Sequence, residues 1–152
     1  MGYKGGVRLL GYAAFFLALV VTGCGGEGGA TWAGPPDPAA DGTVAVEDFS
    51  AYQDDVDEQW EGSAAMAAAE FLRLDERTAA RTSIEGTASA EGAGPEIVTV
   101  TLDGLFDDSV RAERWTLTFE PEGDAYRLTA AGWDQRCQPG RGHEDFSPEP
   151  CV

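Results

Sequence analysis

Apolar residues between positions 49 and 74 recur at intervals of three and four, which is the spacing of one face of a helix. Gly62 and Ser63 interrupt this pattern, and serine often caps the N-terminus of a helix. We therefore predict two successive helices rather than one kinked helix. Their apolar faces consist of Phe49, Tyr52, Val56 and Trp60 in the first helix and Ala64, Ala67, Ala68, Phe71, Leu72 and Leu74 in the second.

From residue 98 onward apolar and polar residues alternate, as they do in a strand that is buried on one side only. Turn-forming residues at 107–109 and 121–124 separate the alternating segments. Residues 82–88 form a candidate earlier strand, followed by a turn at 91–95. The predicted inward-facing residues are Val98, Val100 and Leu102, then Trp115, Leu117 and Phe119, then Tyr126, Leu128 and Ala130.

Together these patterns predict the α+β class. An N-terminal helix pair would pack on one face of a three- or four-stranded antiparallel meander, and the threonine-rich face would meet solvent. This order of elements is distantly similar to the cone-shaped nuclear-transport-factor-2-like and cystatin-like folds. The likeness concerns the fold alone and implies no function.

Residues 1–23 have the pattern of a signal peptide. Lys4 and Arg8 make the first segment basic, and an apolar run of about thirteen residues follows at 9–21. This run is shorter than the roughly 20 residues of a membrane-spanning helix, and glycines rather than basic residues follow it. We therefore expect this segment to direct export and to be removed.

The sequence Val21-Thr22-Gly23-Cys24 ends the apolar run and resembles the lipobox of bacterial prolipoproteins. The resemblance implies that Cys24 becomes the N-terminal residue and carries a diacylglyceryl group, often with a further acyl chain such as palmitate. Two or more chains would hold the protein on the membrane, because each buried methylene contributes about 0.8 kcal/mol. The implied location is the extracytoplasmic face of the cell membrane, to which the lipid on Cys24 anchors the protein.

Residues 24–42 would form the lipidated cysteine and a disordered tether, because they are rich in glycine and proline and lack apolar periodicity. Trp32 stands alone in this segment. We interpret it as an incidental aromatic residue or one that contacts the membrane interface. The folded domain would comprise residues 43–152.

The chain has 10 basic and 27 acidic residues, and only Lys4 and Arg8 of the basic residues precede Cys24. The part that begins at Cys24 therefore has eight basic and all 27 acidic residues, a formal charge of −19. Such a surface repels nucleic acid and anionic headgroups, so nucleic acid is not an expected partner. The carboxylate runs at 54–58 and 107–108 lack the spacing of a calcium-binding loop, and we predict neither a metal nor a cofactor.

Three cysteines are an odd number for an exported protein. If Cys24 carries lipid, Cys137 and Cys151 remain and can pair outside the cytoplasm. Residues 133–152, with a Gly-Arg-Gly turn between the two cysteines, are similar to the closing segment of bacterial lipoproteins that have no assigned activity. That resemblance supports the disulfide and implies no chemistry.

His143 is the only histidine and precedes Glu144 and Asp145. Ser147 would complete a serine–histidine–carboxylate set by residue type, but closeness in sequence is not triad geometry, and no nucleophile-elbow motif occurs. One histidine with carboxylates is also a thin ligand set for zinc. We interpret His143 as a solvent-exposed or loop-bracing residue, and as a candidate binding residue.

Arg136 and Arg141 flank Cys137 and have two interpretations. They would either hold the loop by pairing with acidic neighbours or contact an anionic ligand at a binding surface, and we favour the first. The acidic neighbours in sequence are Asp134, Glu144 and Asp145.

The sequence thus favours an extracytoplasmic, membrane-anchored lipoprotein that acts as a non-catalytic binding or accessory module of the cell envelope. Its partner would be an envelope protein or a small ligand. The alternative is a small hydrolase or isomerase that uses His143 with nearby carboxylates. A deep pocket around His143 would favour the enzyme, and a closed core with His143 at its rim would favour the binding module.

Overall fold

The computed structural model describes Gly2, residues 30–87 and residues 94–152. The rest of the predicted signal peptide, the lipobox with Cys24 and most of the predicted turn at 91–95 lie outside the described residues. The elements in chain order are β1 (Thr43–Val44), α1 (Glu47–Asp55), a 3-10 turn (Gln59–Gly62), α2 (Ala64–Phe71), β2 (Arg81–Thr87), β3 (Glu96–Asp103), β4 (Val110–Glu122) and β5 (Ala125–Cys137).

The strands form one antiparallel sheet in the order β1-β5-β4-β3-β2, which confirms the α+β class. The sheet has five strands rather than the predicted three or four. β2 is the candidate earlier strand, and β1 was not predicted because two residues are too few for a recognisable alternation. β1 is held through its pairing with β5, where Thr43 lies opposite Gly132.

Two helices form, as predicted, and the Ser63 hydroxyl accepts a hydrogen bond from the Met66 amide at 3.5 Å at the start of α2. Both helices are shorter than their apolar patterns. α1 ends at Asp55, and Trp60 lies on the 3-10 turn, where it still packs against Phe49 with ring centroids 5.8 Å apart. None of the described helices is long and apolar enough to cross a membrane.

The core lies between the helices and one face of the sheet. The alternating residues of β3 and of the centre of β4 point into it, as predicted. Side chains of the helices cover this face, so the space between the helices and the sheet is filled with side chains. The largest fully buried side chains are Phe49, Phe71, Phe119, Leu72, Leu102, Leu117, Leu128, Val98, Val100 and Cys137.

β5 departs from the predicted alternation. Leu128 is buried, but Ala130 is exposed and Ala131 is buried instead. Leu128 lies opposite Phe119 and Ala130 lies opposite Thr118, so Thr129 is an additional residue that forms a bulge. A one-residue insertion moves every later side chain to the other face, and the inward-facing placement of Ala130 was therefore wrong.

The predicted tether is also wrong for residues 30–42. Trp32 is only 8% exposed, and its indole N–H donates to the Phe71 carbonyl at 2.7 Å. Its ring lies 5.0 Å from that of Phe49 and 5.8 Å from that of Phe71. A single aromatic residue in a glycine- and proline-rich segment has no periodicity to reveal its burial. The folded domain therefore includes this segment.

Candidate functional site

A disulfide joins Cys137 at the end of β5 to Cys151, with the two Cα atoms 5.5 Å apart, which confirms the predicted pairing. Backbone hydrogen bonds hold the enclosed loop at both ends. The Val152 amide donates to the Arg141 carbonyl at 2.8 Å, and the Cys137 amide donates to the His143 carbonyl at 3.0 Å. The loop is thus a closed structural unit rather than a mobile end.

Steric constraints explain why the second residue of the pair that flanks Arg141, Gly142, is a glycine. Gly142 has φ of 135°, a conformation that other residues rarely adopt. A Cβ atom at this position would lie 2.9 Å from the Cys137 sulfur, which is too close for any side chain. With the disulfide in place, position 142 therefore requires glycine.

His143 lies within this loop and is held on both sides of its ring. Nδ1 lies 2.8 Å from the Asp145 carbonyl oxygen, and Nε2 lies 2.8 Å from the Glu149 carbonyl oxygen. Carbonyl oxygens only accept hydrogen bonds, so both ring nitrogens must carry a proton for both bonds to form. The bonds to Glu149 and Asp145 accordingly raise the pKa of His143 above its ordinary value. In its protonated, cationic form His143 braces the loop through both bonds.

The residues of a serine–histidine–carboxylate set are not assembled around His143. The ring contacts the backbone carbonyl of Asp145 rather than its carboxylate. The Ser147 hydroxyl instead accepts a hydrogen bond from the Glu149 amide at 3.2 Å. With both ring nitrogens occupied, His143 has no free position from which to take a proton from a nucleophile.

Because the pKa of His143 is raised, the stability of the loop should fall as pH rises. A group whose pKa is raised by folding stabilises the native state fully below its unfolded pKa, which for histidine is about 6.5. That contribution is lost as pH rises through the folded pKa. We therefore expect His143→Gln to reduce stability at pH 5.5 and to have a smaller effect at pH 9, measured by urea unfolding across this range.

Because His143 is the only histidine, the difference between parent and variant isolates its titration. Glutamine keeps an amide NH₂ group that can donate to the loop carbonyls, and it removes the titratable group. If the difference in stability between the two proteins stays constant from pH 5.5 to pH 9, the cationic brace is refuted.

The two flanking arginines are paired, as the favoured interpretation expects, but with other partners than their neighbours in sequence. Arg136 contacts the Asp103 carboxylate at 3.2 Å, and Arg141 contacts the Asp108 carboxylate at 3.3 Å. Asp134 pairs instead with Arg114 on β4. The expected partners were wrong because the fold places β3 and the turn after it beside the loop, although these segments lie more than thirty residues earlier in the sequence.

Phe146 is a residue that sequence reasoning missed. The guanidinium groups of Arg114 and Arg136 lie over its ring, 4.4 Å and 5.1 Å from the ring centroid. Both arginines are ion-paired at the same time, so charge and aromatic packing together fix this end of the sheet. A single phenylalanine in a loop carries no periodic signal, and only the fold brings it against two strands.

The carboxylates of the turn between β3 and β4 are explained without an ion. One Asp107 oxygen accepts hydrogen bonds from the Val110 and Ser109 amides at 2.7 and 2.8 Å, and these bonds lower the pKa of Asp107. Asp108 faces Arg141. This agrees with the interpretation of these residues as a turn.

One group of metal-ligating residue types occurs in the part of the chain that the structure describes. The ligand atoms of Cys137, His143 and Cys151 all lie within 4.8 Å of one another. Both sulfurs are joined in the disulfide, however, and both ring nitrogens point at carbonyl oxygens. The group is therefore a structural cluster in this form of the protein.

The face of the sheet that points away from the helices carries a row of small, accessible residues at its centre, beside the charged pair of Arg114 and Asp134. We call it the threonine face. Thr99, Thr116, Gly132 and Thr43 lie side by side across four strands. Thr116 and Thr43 are exposed, and the neighbouring Ile97 is 44% exposed, as expected for a face without a covering layer.

A shallow cleft of about 220 Å³ lies in the threonine face, lined in part by Thr43, Thr116, Gly132 and Asp134. Two larger grooves, of about 490 and 480 Å³, lie beside Trp32 and beside β1. His143, Arg136 and Arg141 line none of these three spaces.

No family model, no curated protein and no solved structure matches the chain.

Proposed function

We propose that the protein is a lipid-anchored, extracytoplasmic component of the cell envelope whose domain is a non-catalytic binding or accessory module. The observation that carries the non-catalytic role is the geometry of His143, whose two ring nitrogens both face backbone carbonyls at 2.8 Å. The residue best suited to acid–base chemistry by type is thus used to hold a loop. It lines none of the three clefts described above.

The pattern of the N-terminal sequence supports the anchor. Lys4 and Arg8, the apolar run at 9–21 and the lipobox cysteine Cys24 occur in the order that export and lipidation require. The disulfide between Cys137 and Cys151 supports the same compartment, because disulfides persist outside the cytoplasm.

The threonine face supports the binding role. Threonine hydroxyls both donate and accept hydrogen bonds, and their methyl groups add apolar contact. The row from Thr99 to Thr43 has no charged side chain, and Gly132 leaves a gap in which a partner group would fit. Asp41 and Asp134 line the same cleft, so such a surface suits a polar partner with hydrogen-bond donors, either an envelope protein or a small ligand.

The proposal is tested by lipid attachment at Cys24. When the full chain is expressed in a bacterium fed an alkyne analogue of palmitate, we expect labelled protein in the membrane fraction that lacks residues 1–23. Cys24→Ser removes the thiol that forms the thioether, so labelling should fall to background and the signal peptide should stay attached. The measurements are in-gel fluorescence and the intact mass.

Gly26→Ser is the matched control, since it changes a small residue two positions further on and leaves the lipobox intact. It should be labelled like the parent protein. Label that persists on Cys24→Ser would contradict the anchor. So would parent protein that stays in the cytoplasm with free thiols at both Cys137 and Cys151.

A further inference from the structure

The two edges of the sheet differ in whether their backbone hydrogen-bonding groups have partners. Along the first half of β5, α1 closes the edge with side chains. The Ser50 hydroxyl donates to the Leu128 carbonyl at 3.0 Å. The Gln53 amide group donates to the Tyr126 carbonyl at 2.9 Å and accepts from the Leu128 amide at 3.1 Å.

The second half of β5 is closed by backbone. β1 pairs with residues 131 and 132, and the Gly42 carbonyl accepts from the Trp133 amide at 2.8 Å. Further on, Gln135 and Ser147 exchange two backbone hydrogen bonds, each of 2.9 Å. A further strand therefore has no place to pair along this edge.

The opposite edge, formed by β2, is left open. β2 pairs with β3 over all seven of its residues, and in residues 30–87 and 94–152 no other backbone hydrogen bond reaches it. Six of the seven residues are exposed, and Ile84 is 42% exposed. The strand contains no proline and no bulge to protect the edge, and its two charged residues, Arg81 and Glu85, have opposite signs. It is a template for one more strand.

We propose that two copies of this chain pair through β2 as antiparallel strands, with Ser83 on the twofold axis. In this register Arg81 lies opposite Glu85 of the partner subunit, and Glu85 lies opposite the partner's Arg81. The two ion pairs lie on the same face, because Arg81 and Glu85 are each two residues from Ser83 and side chains two residues apart in a strand point to the same side. The product is a continuous ten-stranded sheet with helices on one side only.

Charge selects this register among those that a twofold axis through the sheet allows. Placing Glu85 on the axis brings two carboxylates opposite each other, which is unfavourable. Placing Ile84 on the axis puts Arg81 opposite Thr87 and forms no ion pair. Neither Arg81 nor Glu85 forms a salt bridge within the described parts of the chain, so both are available to a second copy.

Part of the acidic surface of the protein lies away from β2. α1, with its acidic residues at 47, 48, 54 and 55, contacts β5 at the other side of the sheet. Charges separated by more than about 10 Å of solvent are largely screened at ordinary salt concentrations. A strand pair alone buries less than the roughly 1,600 Å² of a standard interface, so we expect a reversible dimer.

A cross-linking experiment tests the register with the full chain in detergent. Both variants carry Cys24→Ser, so that a single new cysteine is the only free thiol beside the disulfide. Ser83→Cys should give a covalent dimer with a short bismaleimide, because opposed Cβ atoms in such a pair are about 5 Å apart. Thr116→Cys, in the middle of the same face and away from β2, should give no covalent dimer and is the control.

A charge exchange tests the ion pairs. Arg81→Glu and Glu85→Arg should each raise the dimer dissociation constant about tenfold, because each places like charges opposite each other twice. The double variant should restore the parent value, since the pairs are re-formed in reverse. Sedimentation in density-matched detergent gives the constants, and Glu120→Arg on β4 makes the same charge change away from the edge.

Three results would overturn the proposal. The first is a parent chain that stays monomeric up to about 0.5 mM, a limit that corresponds to negligible affinity. The second is a dimer in which Ser83→Cys does not cross-link. The third is a double variant that dimerises no better than the single variants, which would leave the ion pairs without a role.

Discussion

Trp32→Ala should lower the free energy of unfolding by about 3–5 kcal/mol, the usual cost of deleting a large aromatic side chain from a core. The indole ring is 8% exposed and packs against Phe49, Phe71 and Tyr52. The substitution also removes the N–H that donates to the Phe71 carbonyl at 2.7 Å, and that oxygen would lose its partner. Urea unfolding followed by circular dichroism measures the change.

An effect of this size would be a large part of the total stability, which for a domain of this kind is about 5–15 kcal/mol. Trp32→Phe is the matched control. It keeps one aromatic ring in the core and removes the hydrogen bond together with the second ring of the indole, so its cost should be smaller, about 1–2 kcal/mol. If Trp32→Ala costs less than about 1 kcal/mol, residues 30–42 are not part of the folded domain and the predicted tether was right after all.

Loss of the disulfide should have the second-largest effect. Cys137→Ser and Cys151→Ser should each lower stability by about 3 kcal/mol, the loop-closure value for a bond that spans about 15 residues. The sequence separation is 14, and the loop holds the last backbone hydrogen bonds of the chain. Either substitution breaks the same bond, so the double variant should be no less stable than the worse single variant.

The two positions differ in one respect that a control must address. Cys137 is 1% exposed, so a serine hydroxyl there is buried without an assured partner, whereas Cys151 is half-buried. Cys137→Ala and Cys151→Ala avoid the buried hydroxyl and should agree more closely with each other. Additive losses of stability, or two free thiols in the native protein by Ellman titration, would contradict a disulfide at this position.

Much of the fold follows from local periodicity. The period of two in residues 98–102 and 115–119 identified two central strands and the side on which each is buried. The period of three to four before them identified two helices, and Ser63 marked the start of the second. These predictions succeed because each element needs only one apolar face, and the spacing of apolar residues within a short segment shows where that face is.

The site was less predictable because its contacts are distant in the chain. The arginines at 136 and 141 pair with aspartates 33 residues earlier, and Trp32 bonds a carbonyl 39 residues later. Phe146 packs against Arg114 of β4 and Arg136 of β5 at the same time. The bulge at Thr129 changed the buried side of β5 without any glycine or proline to signal it.

The sequence by itself determined the class of fold, the disulfide partners and which residues of the central strands are buried, because these depend on composition, cysteine number and local period. The tertiary structure alone decided that the segment around Trp32 belongs to the core and that His143 bonds two carbonyls. It also decided that one sheet edge is closed, while within residues 30–87 and 94–152 only β3 pairs with β2. The reason is physical: hydrogen-bond and ion-pair partners depend on which distant segments the closed core brings together.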